Sequence, residues 1–240
     1  MIIIPMAGLS SRFFKAGYTK PKYMLDLHGT LLFDCCLNSF KDYFTSEKFL
    51  FIVRDAFDTI NFVSERAKSL GILDFEVICL EHETRGQAET VYLGLKHIAN
   101  ERQPITIFNI DTIRPDFKFP QFELCDEAYL EVFLGSGDNW SFVKPMNTLT
   151  DRVAFTTEKK PVSDLCCTGL YHFPSIIDYK AAYHHYDNLP SELWDAGELY
   201  VAPLYNYLIN RGGVVRYHTV ARDDVIFCGT PDEYLALLSK

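Results

Sequence analysis

The sequence predicts an α/β protein, a Rossmann-like fold with a mostly parallel, mixed central sheet flanked by helices. Three observations predict it. The chain opens on a β-branched run, Ile2-Ile3-Ile4, ended by Pro5, and a short continuous apolar run suits a strand buried on both faces. Apolar runs and segments of helical period then alternate through residues 1–110, as they do in βαβ units. Finally, 240 residues with 48% hydrophobic content suffice for one large domain over residues 1–240 and are short for two.

The elements follow in order. After the first strand comes the small-residue turn Ala7-Gly8-Leu9-Ser10-Ser11-Arg12, then a Lys-, Gly- and Pro-rich segment up to Lys22. Residues 33–40 carry apolar side chains near helical spacing, and Phe49-Leu50-Phe51-Ile52-Val53 reads as the second strand. A helix over 59–70, a strand over 76–80, a helix over 87–99 and a strand over 105–110 repeat the unit. The second half is more mixed, with strands expected over 129–134, 140–144, 153–157, 168–173 and 214–218, and helices over 175–185, 199–211 and 231–238. Ligands of such sheets bind at the carboxyl ends of the strands. Residues 7–12, 81–87 and 111–114 all lie just past strand ends, so they are expected to converge.

Charge narrows the function. The formal net charge is −9, and the first 60 residues carry seven basic against six acidic side chains while the remaining 180 carry 16 against 26. No block of Lys and Arg provides the basic face that a nucleic-acid backbone requires, so no nucleic-acid partner is expected. A small phosphate site among the early Lys and Arg fits the same distribution. No apolar run approaches the roughly 20 residues of a membrane span, and the start lacks a signal peptide's basic region, so the expected location is cytoplasmic. The seven cysteines include the adjacent pairs Cys35-Cys36 and Cys166-Cys167, a spacing unlike zinc ligation, and read as reduced, mostly buried thiols. The sequence allows a homo-oligomer without requiring one.

Chemistry is concentrated in Gly8-Leu9-Ser10-Ser11-Arg12 followed by Lys20-Pro21-Lys22. Small residues after a buried strand let backbone N–H groups approach a phosphate chain, and Arg12 and Lys22 supply positive charge. The spacing is neither a P-loop nor GxGxxG, which argues against an ordinary ATPase or a dinucleotide-dependent dehydrogenase. It resembles the signature loop of the sugar-phosphate nucleotidyltransferase superfamily, in which a strand leads into G-x-x-x-R and a downstream Lys-Pro element.

The resemblance continues in order along the chain. Thr84-Arg85-Gly86-Gln87-Ala88-Glu89-Thr90 is similar to the element that holds the base, and Asn109-Ile110-Asp111 stands in the place of the strand-end aspartate that binds magnesium. Glu158-Lys159-Lys160-Pro161 and Gly169-Leu170-Tyr171-His172-Phe173 resemble the acceptor-side elements, and Gly197-Glu198-Leu199 and Gly229-Thr230-Pro231-Asp232-Glu233-Tyr234 match two elements nearer the C-terminus. More narrowly, Asn109-Ile110-Asp111-Thr112, Asp138-Asn139-Trp140-Ser141-Phe142, the segment from Ser163 to Tyr171 and Val201-Ala202-Pro203-Leu204-Tyr205-Asn206 resemble the capsule-associated cytidylyltransferases of O-methyl phosphoramidate synthesis, which join CTP to phosphoglutamine.

That resemblance implies a glycosyltransferase-A-like fold and a direct displacement at phosphorus. The backbone of Ala7, Gly8, Leu9, Ser10 and Ser11, with Arg12, would hold the β- and γ-phosphates, and Lys22 would offset charge at the α-phosphate. Gly86, Gln87 and Ala88 would hold the base, and Glu158, Lys159, Gly169, Tyr171 and Glu198 a small phosphorylated acceptor. Mg2+ on Asp111 would bridge substrate oxygens. The family's usual second metal-binding Asp falls at Phe227 here, and Asp224, beside Asp223, is the expected substitute. Plainer roles exist for several of these residues: Asp111 as a turn cap, Gly86-Gln87-Ala88 as a helix start, Glu158 with Lys159 as a surface ion pair. Alternatives to CTP and phosphoglutamine are a sugar-1-phosphate nucleotidyltransferase and a catalytically silent nucleotide-binding domain that senses or scaffolds.

Overall fold

The computed structural model of the chain describes residues 1–121 and 127–239. Its strands are β1 Ile2–Met6, β2 Asp26–Leu27, β3 Thr30–Leu31, β4 Lys48–Val53, β5 Asp74–Cys79, β6 Ile105–Phe108, β7 Thr112–Ile113, β8 Ala128–Leu134, β9 Ser141–Pro145, β10 Val153–Glu158, β11 Leu165–Phe173, β12 Val215–Val220 and β13 Ile226–Phe227. Its α-helices are α1 Ser11–Lys15, α2 Leu32–Leu37, α3 Thr59–Leu70, α4 Gln87–Gly94, α5 Ile176–Asp187, α6 Tyr205–Asn210 and α7 Pro231–Leu238. The fold is α/β. No helix among the described residues is long and apolar enough to cross a membrane.

The chain divides into two compact units. The first comprises Ile2–Glu83, Phe108–Lys118 and Asp223–Lys240. In it β4 lies between β1 and β5, parallel to both, with Ile3 opposite Leu50 and Leu50 opposite Glu76. Ile2, Ile3, Ile4 and Phe49 through Val53 are fully buried, as the unbroken apolar runs predict. Aromatic rings fill this unit's core: Phe40 meets Phe108 edge to face at 4.9 Å, and Phe117 lies 4.9 Å away on another side. Arg66 of α3 grips the buried Asp34 of α2 through two hydrogen bonds, 3.0 Å from Nε and 2.5 Å from Nη2, which satisfies a carboxylate that would be costly to bury alone.

The second unit comprises Met1, Thr84–Ile107 and Phe119–Arg222. Here β8 pairs antiparallel with β11 and parallel with β12, β11 also pairs β9, and β9 pairs β10. The β8–β11 register shifts between Cys167 and Tyr171, and Gly169 sits in that bulge at φ 97, a backbone region that other residues enter at a cost. Buried tyrosines tie the layers together: Tyr205 donates to the main-chain oxygens of Tyr129 and His172, and Tyr179 donates to that of Ala88.

Two expected helices are shorter than their periodicity suggests. The 87–99 segment is α4 followed by the 3-10 turn Leu95–His97. The 199–211 segment begins extended, because Leu199 is hydrogen-bonded to Arg85 and Ala88, and Pro203 lies in the 3-10 turn Ala202–Leu204 before α6 starts. Of the cysteines, Cys36, Cys166, Cys167 and Cys228 are buried free thiols, Cys35 is half-buried and Cys79 exposed; Cys125 lies outside the described residues.

Candidate active site

In the first unit the site starts at the end of β1. Ala7 is buried, whereas Gly8, Leu9, Ser11 and Arg12 are exposed, so the turn offers backbone and a guanidinium to solvent. Ser10 takes a left-handed conformation, φ 50, that reverses the chain into α1, and its hydroxyl accepts a hydrogen bond from the Lys22 N–H at 3.2 Å. The turn and Lys22 are therefore one assembly. Pro21 holds an extended backbone that starts the 3-10 turn Lys22–Met24 and sends the lysine side chain onto the Asp111 carboxylate. Burial lowers the Lys22 pKa, but the charge and hydrogen bond of Asp111 more than offset this and hold the ammonium above its ordinary value.

Asp111 follows β6 and is fixed from its other side by β13. Phe227 pairs Thr112 across the β7–β13 ladder, and the Cys228 N–H donates to the Asp111 main-chain oxygen at 2.9 Å. Gly229 comes next, and a methyl group there would sit 2.9 Å from Asp111 Oδ2, so glycine clears space for the carboxylate. Glu233 is held elsewhere, in the capping box of α7, where it accepts from the Thr230 N–H at 2.9 Å. Asp224 is exposed on the turn Arg222–Asp224, and its main-chain oxygen accepts from Arg114 Nη1. Among the described residues no group of three His, Cys, Asp or Glu side chains could hold a metal ion. A single partly exposed carboxylate nevertheless suits magnesium, which is commonly held by one or two carboxylates with substrate phosphates and water completing its shell.

In the second unit Gly86 precedes α4 at φ 149, and an added Cβ would lie 2.5 Å from the Leu199 carbonyl oxygen. Only glycine fits. Leu199 O accepts from Ala88 N at 2.8 Å and Leu199 N donates to Arg85 O at 2.9 Å, so the Gly86-Gln87-Ala88 and Gly197-Glu198-Leu199 elements, far apart in sequence, form one piece.

Around Glu158 the expected acceptor residues gather. Glu158 is buried at the end of β10 and accepts a hydrogen bond from Ser141 Oγ, which lies 3.3 Å from the Tyr171 hydroxyl. The bulge at Gly169 shifts Tyr171 into that register. Burial pushes the Glu158 carboxyl up to about 7, against the opposing hydrogen bond from Ser141 and the charge of Lys159. Lys159, in a left-handed conformation at φ 54, donates to the Tyr200 hydroxyl at 2.5 Å. Glu158 is thus no surface ion pair: its own N–H donates to Asp195 Oδ2 at 3.3 Å, and Lys160 Nζ donates to Asp195 Oδ1 at 3.0 Å. Glu198 is exposed, and its negative charge also raises the Glu158 carboxyl.

The structure therefore joins Ser10, Lys22 and Asp111 in the first unit, and Glu158 with Tyr171 and Gly86 with Ala88 in the second. Ser141, Asp195 and Tyr200 were not among the sequence candidates. Ser141 lies within the 138–142 segment, but nothing in its spacing pairs it with a carboxylate 17 positions on.

The chain is similar over its whole length to a solved nucleoside-diphosphate-sugar pyrophosphorylase from Vibrio cholerae RC9, with 56% identity, coverage of 100% of both chains and a TM-score of 0.97. Its fold is also similar to an inositol-1-phosphate CTP transferase from T. maritima, at 16% identity, 100% and 94% coverage and a TM-score of 0.71. A UTP-bound UGPase from Acinetobacter baumannii matches at 15% identity, 99% and 91% coverage and the same TM-score, 0.71. No family model and no curated protein sequence matches the chain.

Proposed function

The chain belongs to the nucleoside-diphosphate-sugar pyrophosphorylase family of nucleotidyltransferases, and on that premise we propose that it transfers CMP from CTP to a small phosphorylated acceptor, phosphoglutamine, releasing pyrophosphate. The observation that carries the transfer chemistry is the Ser10–Lys22–Asp111 assembly, which unites a phosphate-sized turn, a fixed cation and a carboxylate. The resemblance of residues 109–112, 138–142, 163–171 and 201–206 to capsule-associated cytidylyltransferases supports the cytosine base and the phosphoramidate pathway. The two units serve as a single nucleotidyltransferase domain.

In this reading the N–H groups of residues 7–11 and the Arg12 guanidinium hold the leaving pyrophosphate. Lys22, charged at neutral pH, offsets the charge that grows at the α-phosphate. Asp111 and, through its exposed carboxylate, Asp224 are the residues that would hold Mg2+, which supplies Lewis-acid neutralisation of phosphate charge when bound. Gly86, Gln87 and Ala88 seat the base, whose backbone-lined position at Gly86 admits no side chain. Glu158, Lys159, Tyr171 and Glu198, with Gly169 setting the register, orient the acceptor so that its phosphate oxygen attacks in line. No covalent enzyme intermediate is required.

A second reading has its own support. The Vibrio cholerae relative is described as a nucleoside-diphosphate-sugar pyrophosphorylase, which favours a sugar 1-phosphate acceptor. Pyrophosphate release with magnesium, crossing CTP, UTP, dTTP, ATP and GTP against phosphoglutamine, phosphocholine and several sugar 1-phosphates, separates the two. Release confined to CTP with phosphoglutamine supports the first, and release with a sugar 1-phosphate establishes the second. Nucleotide binding without release in any pairing points to a silent domain.

A further inference from the structure

Residues 194–200 form a strap with both expected binding elements of the second unit attached to it. On one side Leu199 is bonded through its N–H to Arg85 O and through its oxygen to Ala88 N, at 2.9 and 2.8 Å. On the other side Asp195 takes the Glu158 N–H at 3.3 Å and the Lys160 ammonium at 3.0 Å, and Tyr200 takes the Lys159 ammonium at 2.5 Å. One side chain spans the strap's supports. The Arg85 guanidinium donates to Glu89 Oε1 at 2.8 Å from Nε, pairs Asp187 Oδ1 at 2.7 Å from Nη1, and lies over the Trp194 ring 5.5 Å from its centroid. Its own N–H donates to Glu89 Oε2 at 2.6 Å, which fixes the backbone just before Gly86. Tyr186 accepts the Asp195 N–H at 2.7 Å, so the strap is also pinned to α5, the helix that ends in Asp187.

We propose that Arg85 is a positioning residue which, through the 194–200 strap, couples occupancy of the Gly86–Ala88 element to the geometry of the Glu158–Lys159 element, so that bound nucleotide prepares the acceptor side. The inference rests on the reading that residues 86–88 hold the base and that Glu158 and Lys159 face the acceptor. A guanidinium suits this role because it satisfies two carboxylates and one aromatic face at once with a rigid planar fork, which an ammonium cannot do. Trp194 Nε1 is buried without an acceptor among the described residues, so a shift of the strap has a hydrogen bond to gain. Because coupling between two sites is reciprocal, the acceptor should tighten the nucleotide by the same factor that the nucleotide tightens the acceptor.

The test uses the full chain with CTP and Mg2+, binding being followed by calorimetry and backbone order by amide hydrogen exchange. In the wild type CTP should slow exchange at residues 158–160 and 194–200 by at least about fivefold, within the range typical of coupled sites. Arg85→Met should bind CTP alone within about threefold of wild type yet lose that protection, and its acceptor KM at saturating CTP and its nucleotide KM at saturating acceptor should rise together, about tenfold. Arg85→Lys should recover only part of the protection, and Trp194→Phe, which keeps an aromatic face, most of it. The inference is overturned if CTP binds and exchange at 158–160 and 194–200 is unchanged in the wild type, or is slowed equally in Arg85→Met. If none of the five nucleoside triphosphates binds the wild type, the reading of residues 86–88 fails and the inference falls with it.

Discussion

Lys22 and Asp111 neutralise one another across a contact that is about one-fifth exposed on each side, so a triphosphate reaches either group only by exchanging it from the other. Removing the lysine leaves Asp111 with an uncompensated charge and the α-phosphate with none of that cation's help. Lys22→Ala is therefore expected to lower kcat on the order of 10²–10³-fold while circular dichroism and the thermal midpoint report an intact fold. Gly229→Ala tests the same carboxylate from its other side. The added methyl, 2.9 Å from Asp111 Oδ2, should move it by a fraction of an ångström and lower kcat roughly tenfold or more, with KM for nucleotide changed less. Glu158 makes a pH-dependent prediction. With its carboxyl at about 7 in the folded chain against 4.5 for an unperturbed glutamate, the protonated form stabilises the fold below pH 4.5, and that contribution is lost as pH rises through 7. The acceptor KM should accordingly change across pH 7 in the wild type and stay flat in Glu158→Gln.

At the scale of elements, β11 carries both a constraint and a liability. His172 on this strand is buried, stacks on Tyr129 at 4.8 Å and shares a 2.9 Å hydrogen bond between Nδ1 and Thr106 Oγ1, while its Nε2 has no partner among the described residues. Burial pulls its pKa down to about 3, so the folded chain holds it neutral. Stability is full above the unfolded value of about 6.5 and falls, by roughly 1.4 kcal/mol per pH unit, as pH drops from there towards 3. Urea unfolding at pH 7 and pH 5 should differ by about 2 kcal/mol more in the wild type than in His172→Gln. The Glu158 slope runs the opposite way over part of that range, which is why each is read as a difference between wild type and its own variant. Elements of this kind were legible in the sequence where one pattern sufficed. The Ile2–Ile4 run of β1 and the Phe49–Val53 run of β4 are buried because every residue in them is apolar. The hairpin β2–β3 was not legible, since its turn depends on His28 and Gly29 both adopting positive φ, 53 and 84, and His28 carries no strong signal for that. The end of the 199–211 helix prediction was equally hidden: the pattern is helical, but Leu199 is claimed by hydrogen bonds from a segment over 100 residues away.

For the molecule as a whole, the motif order made the turn at residues 7–12, Lys22 and Asp111 readable as one group, because the turn and Asp111 each lie just past a strand and Lys22 follows the turn in a Lys-Pro-Lys element. The Glu158 cluster was only half readable. Glu158 and Tyr171 stood out by type, yet the sequence gives no sign that Ser141, Asp195 and Tyr200 complete their hydrogen bonds, since those contacts arise from strand pairing and from the 194–200 strap. Nor does sequence spacing explain why Gly86 is glycine; the reason is a main chain, that of Leu199, which only the folded chain brings there. The reaction we propose for this chain moves a nucleoside monophosphate onto a phosphorylated acceptor. Incubating the purified protein with Mg2+, one of CTP, UTP, dTTP, ATP and GTP labelled at its α-phosphate, and phosphoglutamine or glucose 1-phosphate, while following the label and the pyrophosphate together, shows whether that transfer occurs. One pyrophosphate per labelled small-molecule product, no label on the protein, and loss of both signals in Lys22→Ala are expected. Label retained in every one of the five triphosphates with either acceptor, label attached covalently to the protein, or undiminished product from Lys22→Ala would overturn that reading.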